Sequence, residues 1–336
     1  ISFMAEFVST FITGFQDVVK IDLPKRLKGI KIISLLDGLI HYSYCGNSRD
    51  LQNIIYFNNT FFVIKTFNTN NITFNAMVSA AAKVKSPYLI NRGKFRIRFN
   101  KENQFCKVEK DVTRRAETLV LNNSKLQIDR VNPDTEFWYL IRRENFSFCG
   151  QLISKREFTE KNLNKGELRP EIAYLISSFA EIKEGDSILD CFCGYGSIPV
   201  QVAKKFNFAK LYASDIDEQK ISMLKEKKAL QNNQNIYLCR EDAFCLNYLQ
   251  DKSIDTVITD PPWGYYEEID DLQAFYNKMF ASLKRVLKDD GKMIILSARK
   301  EELEKCAQQN KIEIKNKLQT LVNGKKAALY SLQFIK

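Results

Sequence analysis

Five short apolar runs, Ser187–Cys191, Lys210–Ser214, Asn235–Cys239, Asp255–Thr259 and Lys292–Leu296, recur through the C-terminal half with longer helical stretches between them. Strands joined by helices lie parallel in one sheet, and runs this uniformly apolar suit strands buried on both faces. The end of the chain breaks the rule. Ile312–Val322 and Lys326–Ile335 flank Asn323-Gly324, which accept the positive φ of a tight turn, so the parallel sheet is expected to finish in an antiparallel hairpin. The expected fold class is α/β.

The N-terminal half reads as α+β. Strands are expected at Phe7–Phe11, Ile30–Leu35, Leu39–Tyr44 and Phe61–Lys65, and helices at Gly14–Leu23 and Arg49–Tyr56. The polar Asn68-Thr69-Asn70-Asn71 marks a break. Beyond it a helix at Phe74–Val84, basic strands, a helix at Lys110–Leu119 and strands at Phe137–Ile141 and Phe146–Ile153 form a second α+β region, closing near the loop Lys161–Gly166. Domains are therefore expected at 1–72, 73–160 and 161–336, in keeping with roughly 100–200 residues per domain.

The formal charge is +11, and it is concentrated: thirteen basic and five acidic residues between Lys83 and Arg130 supply +8 of it. Within this stretch Lys94-Phe95-Arg96-Ile97-Arg98-Phe99 alternates, which puts cations on one face of a strand and apolar side chains in a core. That face is expected to meet phosphates through Lys94, Arg96, Arg98, Arg114 and Arg115. A solvated face without a ligand is the plainer alternative. An anionic membrane fits less well, because no lipid-inserting apolar helix accompanies the cations.

No run approaches the ~18 apolar residues of a membrane span. The start Ile1-Ser2-Phe3-Met4-Ala5-Glu6 lacks the basic and apolar regions of a signal peptide. The eight cysteines include no Cys-x-x-Cys pair, so reduced thiols and a cytoplasmic location are expected. His41 is the single imidazole and lies in an alternating run, where a packing role is expected. A zinc site using His, a Ser-His-Asp triad or a Cys-His pair would have to be built on this one residue, which disfavours chemistry based on histidine, and no metal is expected.

The residues suited to chemistry follow the apolar runs. Asp190-Cys191-Phe192-Cys193-Gly194-Tyr195-Gly196-Ser197 ends the first strand; its glycines let the backbone approach a ligand, and Asp190 can reach a cationic amino group. Pro199 stands where a dinucleotide fingerprint has its third glycine, which disfavours NAD or FAD, and no Gly-Lys-Ser/Thr phosphate loop is present. Asp215, past the second strand, suits a ribose diol, while Asp217 is expected to cap the next helix. Asp242, after the third, could accept from an adenine amine, with Ala243 or Phe244 against the ring.

Asp260-Pro261-Pro262-Trp263 follows the fourth strand and is the most specific element. A planar exocyclic amine is a poor nucleophile because its lone pair is delocalised. An acceptor side chain and a backbone carbonyl aimed at its two N–H bonds favour attack on a sulfonium methyl. Asp260 and the Pro261 carbonyl suit those roles, the prolines stiffen the loop, and Trp263 can stack on a base. Asp260 could also take up the released proton.

In that order these motifs resemble the S-adenosylmethionine-dependent amino-methyltransferases of the class I, Rossmann-like group. Asn132-Pro133-Asp134-Thr135-Glu136, Leu168-Arg169-Pro170 and the opening Gly14-Phe15-Gln16-Asp17-Val18-Val19 are similar to the THUMP-domain RNA methyltransferases. The resemblance implies a ferredoxin-like domain, a THUMP domain and a catalytic domain, in that order. It further implies S-adenosylmethionine as cofactor and methylation of a guanine N2 in tRNA, docked by its acceptor stem and 3′ end.

By position, Asp190, Cys193, Gly194, Gly196, Asp215, Asp242 and Ala243 would bind the cofactor, Arg169 and Pro170 would line its pocket, and Asp260, Pro261, Pro262 and Trp263 would act on the base. The resemblance leaves room for a small activating subunit beside an otherwise monomeric chain. Trp263 departs from the Tyr or Phe usual in the closest families, and Asp-Pro-Pro-Trp also occurs in adenine-N6 methyltransferases. Adenine N6 and ribosomal-RNA guanine N2 are therefore the enzymatic alternatives. A non-catalytic RNA-binding protein is the alternative of another class, and a small-molecule or protein methyltransferase is a third.

Overall fold

In a computed structural model describing residues 5–84, 88–156, 163–265 and 269–335, the chain divides into two units, Ile1–Phe11 with Lys20–Glu157 and Ile12–Val19 with Phe158–Lys336. Ile1–Met4, Lys85 and the first residues of the 161–166 loop fall outside the described residues.

The first unit is built on β1 (Ala5–Thr10), α1 (Gln16–Arg26, which begins in the second unit), β2 (Lys31–Leu36), β3 (Leu39–Tyr44), β4 (Asn59–Phe67), α2 (Phe74–Ala81), β5 (Arg92–Lys101), β6 (Gln104–Phe105), α3 (Lys110–Asn123), β7 (Lys125–Ile128), β8 (Thr135–Ile141) and β9 (Ser147–Lys155). Its sheet runs β2-β3-β1-β4-β9-β8-β5-β6, with β7 on β5. The two α+β regions read from the sequence share this sheet, because β4 pairs antiparallel with β9.

The helix expected at Arg49–Tyr56 is only a 3-10 turn over Ser48–Asn53. Leu51 is its one buried side chain, so no apolar stripe sustains a longer helix. His41 is buried, with Nε2 2.9 Å from Glu6, a packing position.

The second unit contains α4 (Pro170–Phe179), β10 (Ser187–Asp190), α5 (Ser197–Lys205), β11 (Lys210–Asp215), α6 (Glu218–Lys225), β12 (Ile236–Arg240), β13 (Ile254–Thr259), α7 (Leu272–Val286), β14 (Leu287–Ser297), α8 (Lys300–Gln309), β15 (Ile312–Val322) and β16 (Lys325–Phe334). The strand order is β12-β11-β10-β13-β14-β16-β15, parallel through β14 and antiparallel at β16 and β15. Leu189, Val257, Ile295, Tyr276, Phe280 and Tyr330 are fully buried in its main core. Each such side chain stabilises the unit by roughly 1.5–3 kcal/mol relative to exposure.

From β10 the chain winds outward through β11 and β12, then returns to β13 on the other side of β10. The loops after β10 and β13 therefore diverge and leave a crevice at the carboxyl ends of the strands. Residues 12–19 pack with this unit: the Thr320 hydroxyl donates to the Thr13 carbonyl at 2.9 Å, and a Cβ on Gly14 (φ 90) would overlap the Gln319 carbonyl.

Candidate active site

The four parallel strands bring their terminal acids to one edge. β10 ends on Asp190 and β11 on Asp215, while Asp242 follows β12 and Asp260 follows β13. These acids, with Cys193, Gly194, Ala243, Pro261, Pro262 and Trp263, line a cavity of about 480 Å³, a size suited to a cofactor.

Three of the expected cofactor residues lie elsewhere. Arg169 and Pro170 are not on the wall, which is formed by the preceding Gly166, Glu167 and Leu168. Arg169 Nε is 3.3 Å from Glu171, and Pro170 opens α4, where a missing N–H costs nothing. Gly196 also lies off the wall. It caps α5 with φ 84, and a Cβ there would overlap Cδ1 of the fully buried Leu224 on α6. Gly196 therefore serves the packing of α5 against α6, whereas Gly194 (φ 52) lines the cavity.

The acids are fixed by hydrogen bonds. Asp215 accepts from the N–H of Gly194 at 2.9 Å and of Asp217 at 3.0 Å, which ties the turn after β10 to the end of β11. Asp217 caps α6, accepting from Gln219 at 2.8 Å. Asp242 accepts from the Phe244 N–H at 2.9 Å and holds the backbone around Ala243.

Asp190 is buried and accepts from the Thr259 hydroxyl at 2.7 Å and the Phe192 N–H at 3.3 Å. Burial pushes its carboxyl up to about 7; the Asp215 charge adds to this, and the Thr259 and Phe192 bonds oppose it. Asp260 has an Oδ1 sealed from solvent with no hydrogen-bond partner. Burial and the Asp190 charge hold its carboxyl well above the ordinary range, against the Trp263 indole. An unpartnered buried acceptor costs about 1–3 kcal/mol, and here it belongs to a cavity wall.

Several wall residues were not anticipated: Phe275 on α7, Tyr265 beyond the Asp-Pro-Pro-Trp loop, and Val322, Asn323 and Lys325 at the β15–β16 turn. Asn323-Gly324 signalled a turn, but its place at the cavity depends on the order β14-β16-β15. Thr259, which holds Asp190, carried one local signal, a polar residue ending an apolar strand beside Asp260.

The basic stretch of the first unit is less open than its alternation implied. Arg96 donates through Nε to Glu136 at 2.8 Å. Arg98 lies 4.0 Å from the same carboxylate and stacks on Phe105 with its guanidinium carbon 4.8 Å from the ring centre. Glu136, opposite Arg96 on β8, thus covers the face expected to meet phosphate. Lys94 pairs with Asp129 at 2.9 Å, and Arg115 bonds Asn75 and Ser79. Arg114 and Lys110 stand exposed on α3, and Lys107 is exposed just before it.

Among the described residues no group of three or more His, Cys, Asp or Glu side chains is placed to hold a metal ion, and no helix is long and apolar enough to cross a membrane.

The strand order and the acid-lined crevice define a Rossmann-like methyltransferase fold. The solved structure of TrmN from Thermus thermophilus superposes with a TM-score of 0.80 at 19% identity, covering 98% of this chain and 100% of that one. SMU.472, solved in complex with SAH, gives 0.73 at 12% identity over 99% and 98%. The chain belongs to the UPF0020 family, the RMKL-like methyltransferase domain, whose family model matches residues 156–328.

Among curated relatives, the tRNA (guanine(10)-N2)-dimethyltransferase of Methanocaldococcus jannaschii is 27% identical over 222 residues, 61% of this chain and 60% of the relative. The tRNA (guanine(6)-N2)-methyltransferase of Thermus thermophilus is 25% identical over 193 residues, 56% and 57%. The U6 snRNA (guanine-N(2))-methyltransferase THUMPD2 of Bos taurus is 29% identical over 130 residues, 38% and 25%. The matched region spans 60% or less of each of these relatives.

Proposed function

We propose that this chain is an S-adenosylmethionine-dependent methyltransferase acting on a guanine N2 of structured RNA, with tRNA as the leading substrate class. The observation that carries the reading is the unpartnered Asp260 Oδ1 in the same cavity as Asp215 and Asp242. The names of the curated relatives support guanine N2 over adenine N6. The N-terminal half would dock the RNA, with residues 1–72 as its ferredoxin-like part and 73–160 as its THUMP part.

The residues fit the cofactor. Asp215 would take the ribose hydroxyls, Ala243 and Phe244 the adenine, and Asp190 the ammonium group, with Gly194 allowing close approach. When bound, S-adenosylmethionine supplies an electrophilic methyl. Asp260 and the Pro261 carbonyl would accept from the two N–H bonds of the guanine amine, turning its nitrogen toward that methyl. Positioning and polarisation of this kind supply most of the rate. With methyl-labelled cofactor and unmodified tRNA transcripts, label should enter the RNA; RNA that stays unlabelled contradicts the reading.

A pH dependence follows. With its pKa raised from 3.8 to about 7, Asp190 in the folded chain keeps a proton that the unfolded chain has released. The ligand-free protein therefore loses stability as pH rises across that window. A cationic cofactor selects the ionised form, so its affinity should weaken about tenfold per pH unit below about 7 and level off above it. Calorimetric titrations from acid to alkaline pH check this, and a flat Kd contradicts it.

The exposed cations make a second expectation. Arg114→Glu should weaken RNA binding about tenfold and lower the slope of log Kd against log salt by about 1. Arg96→Glu should instead unpair the buried Glu136 and destabilise the first unit by about 3 kcal/mol. Salt titrations and thermal melts separate the two; equal effects in both assays would refute the distinction.

A further inference from the structure

The two prolines stiffen the Asp-Pro-Pro-Trp loop only as far as Pro262. Each ring fixes one φ, and the residue before each proline is confined to extended backbone. The first soft peptide is the one between Trp263 and Gly264, where Gly264 takes φ 73. Arg299 holds that peptide: its Nε donates to the Trp263 carbonyl at 2.7 Å. Its guanidinium carbon also lies 4.8 Å from the ring centre of Tyr265, two residues further along the loop. The Trp263 indole is tied to the same strand end, donating through Nε1 to the Leu296 carbonyl at 3.4 Å.

Arg299 is itself well anchored. It stands between β14 and α8, and its backbone N–H donates to the Ser297 hydroxyl at 2.9 Å. Ser297 is fully buried, with its hydroxyl 2.9 Å from that of Tyr276 on α7. Arg299 is half-buried, and among the described residues its side chain bonds to the loop and to no carboxylate. Resting on the proposed function, we infer that Arg299 is a positioning residue that holds the Trp263–Gly264 peptide. It thereby sets where Asp260, the Pro261 carbonyl and the Trp263 indole meet the target base. Arginine suits this task because a planar guanidinium can donate along its edge and stack through its face.

Two variants of similar side-chain length separate the bond from the charge. Arg299→Met removes the donor and should lower kcat for methylation of unmodified tRNA transcripts about a hundredfold, the scale of a small misplacement of reacting groups. KM for RNA and cofactor Kd should stay within about threefold, and the salt slope of RNA binding should not change, because no phosphate contact is lost. Arg299→Gln places an amide N–H where Nε stood, and should recover most of the lost kcat without the charge. Trp138 and Trp263 are the two tryptophans. With 5-fluorotryptophan in both positions, Arg299→Met should shift the Trp263 fluorine resonance in the ligand-free protein and leave that of Trp138 in place.

Near wild-type kcat in Arg299→Met, or an unmoved Trp263 resonance, overturns the inference. So does an equal loss in both variants with a lowered salt slope, because that outcome makes the cation a phosphate ligand. A fall in melting temperature joined to loss of cofactor affinity also overturns it, by giving Arg299 a purely structural role. A wild-type protein that transfers no methyl to RNA contradicts the function instead, and the fluorine resonance then still tests the hold on the loop.

Discussion

Asp260→Ala should lower kcat for methyl transfer by about a thousandfold, with cofactor and RNA affinities held within a few-fold. The size follows from what the side chain does: an oriented acceptor in a water-excluded site is worth about 3–4 kcal/mol of transition-state stabilisation. Oδ1 is buried and unpartnered in the ligand-free chain, so it stands ready for a substrate N–H with no internal bond to break. Asp260→Asn keeps an acceptor oxygen but cannot take up the released proton, and should retain an intermediate rate. Single-turnover kinetics with bound RNA measure this directly. Near wild-type turnover in Asp260→Ala would remove Asp260 from the chemistry.

The second large effect is structural. Gly196→Ala should destabilise the second unit by about 3 kcal/mol: about 1–2 kcal/mol for placing a Cβ at positive φ, with overpacking against Leu224 adding a comparable amount. The same change should weaken cofactor binding, because Gly196 starts α5 directly after the Gly194 turn. Gly194→Ala should cost less stability, since a Cβ there meets no atom closer than 4.0 Å. Adding Leu224→Ala to Gly196→Ala should cost less than the sum of the single changes, because one removes the overlap created by the other. Thermal melts of the four variants check this. Strict additivity would mean that the Leu224 contact does not govern Gly196.

Local patterns carried much of this architecture. The apolar runs from Ser187 onward, the Asn323-Gly324 turn and the acids after each strand are readable because strand length, turn chemistry and strand-end position are properties of neighbouring residues. Pairings set at a distance were not readable. Arg96 and Glu136 are forty positions apart, and only the parallel register of β5 with β8 makes them opposite. The expected contact between Arg96, Arg98 and phosphate therefore gave way to an internal ion pair. The same reason hid the bond between β4 and β9 that joins the two N-terminal regions in one sheet.

Gly196 was legible as a glycine that the turn requires, but its partner Leu224 lies on another helix. Arg299 carried no motif at all, because its meaning comes from the Trp263 carbonyl and the Tyr265 ring, both reached through the fold.

The central claim is that this site delivers a methyl group to a guanine N2. Digestion of tRNA transcripts to nucleosides after incubation with methyl-labelled S-adenosylmethionine, followed by mass spectrometry, tests it most directly. The account predicts label in N2-methylguanosine, absent with Asp260→Ala. Label in N6-methyladenosine, or in no nucleoside, would contradict it.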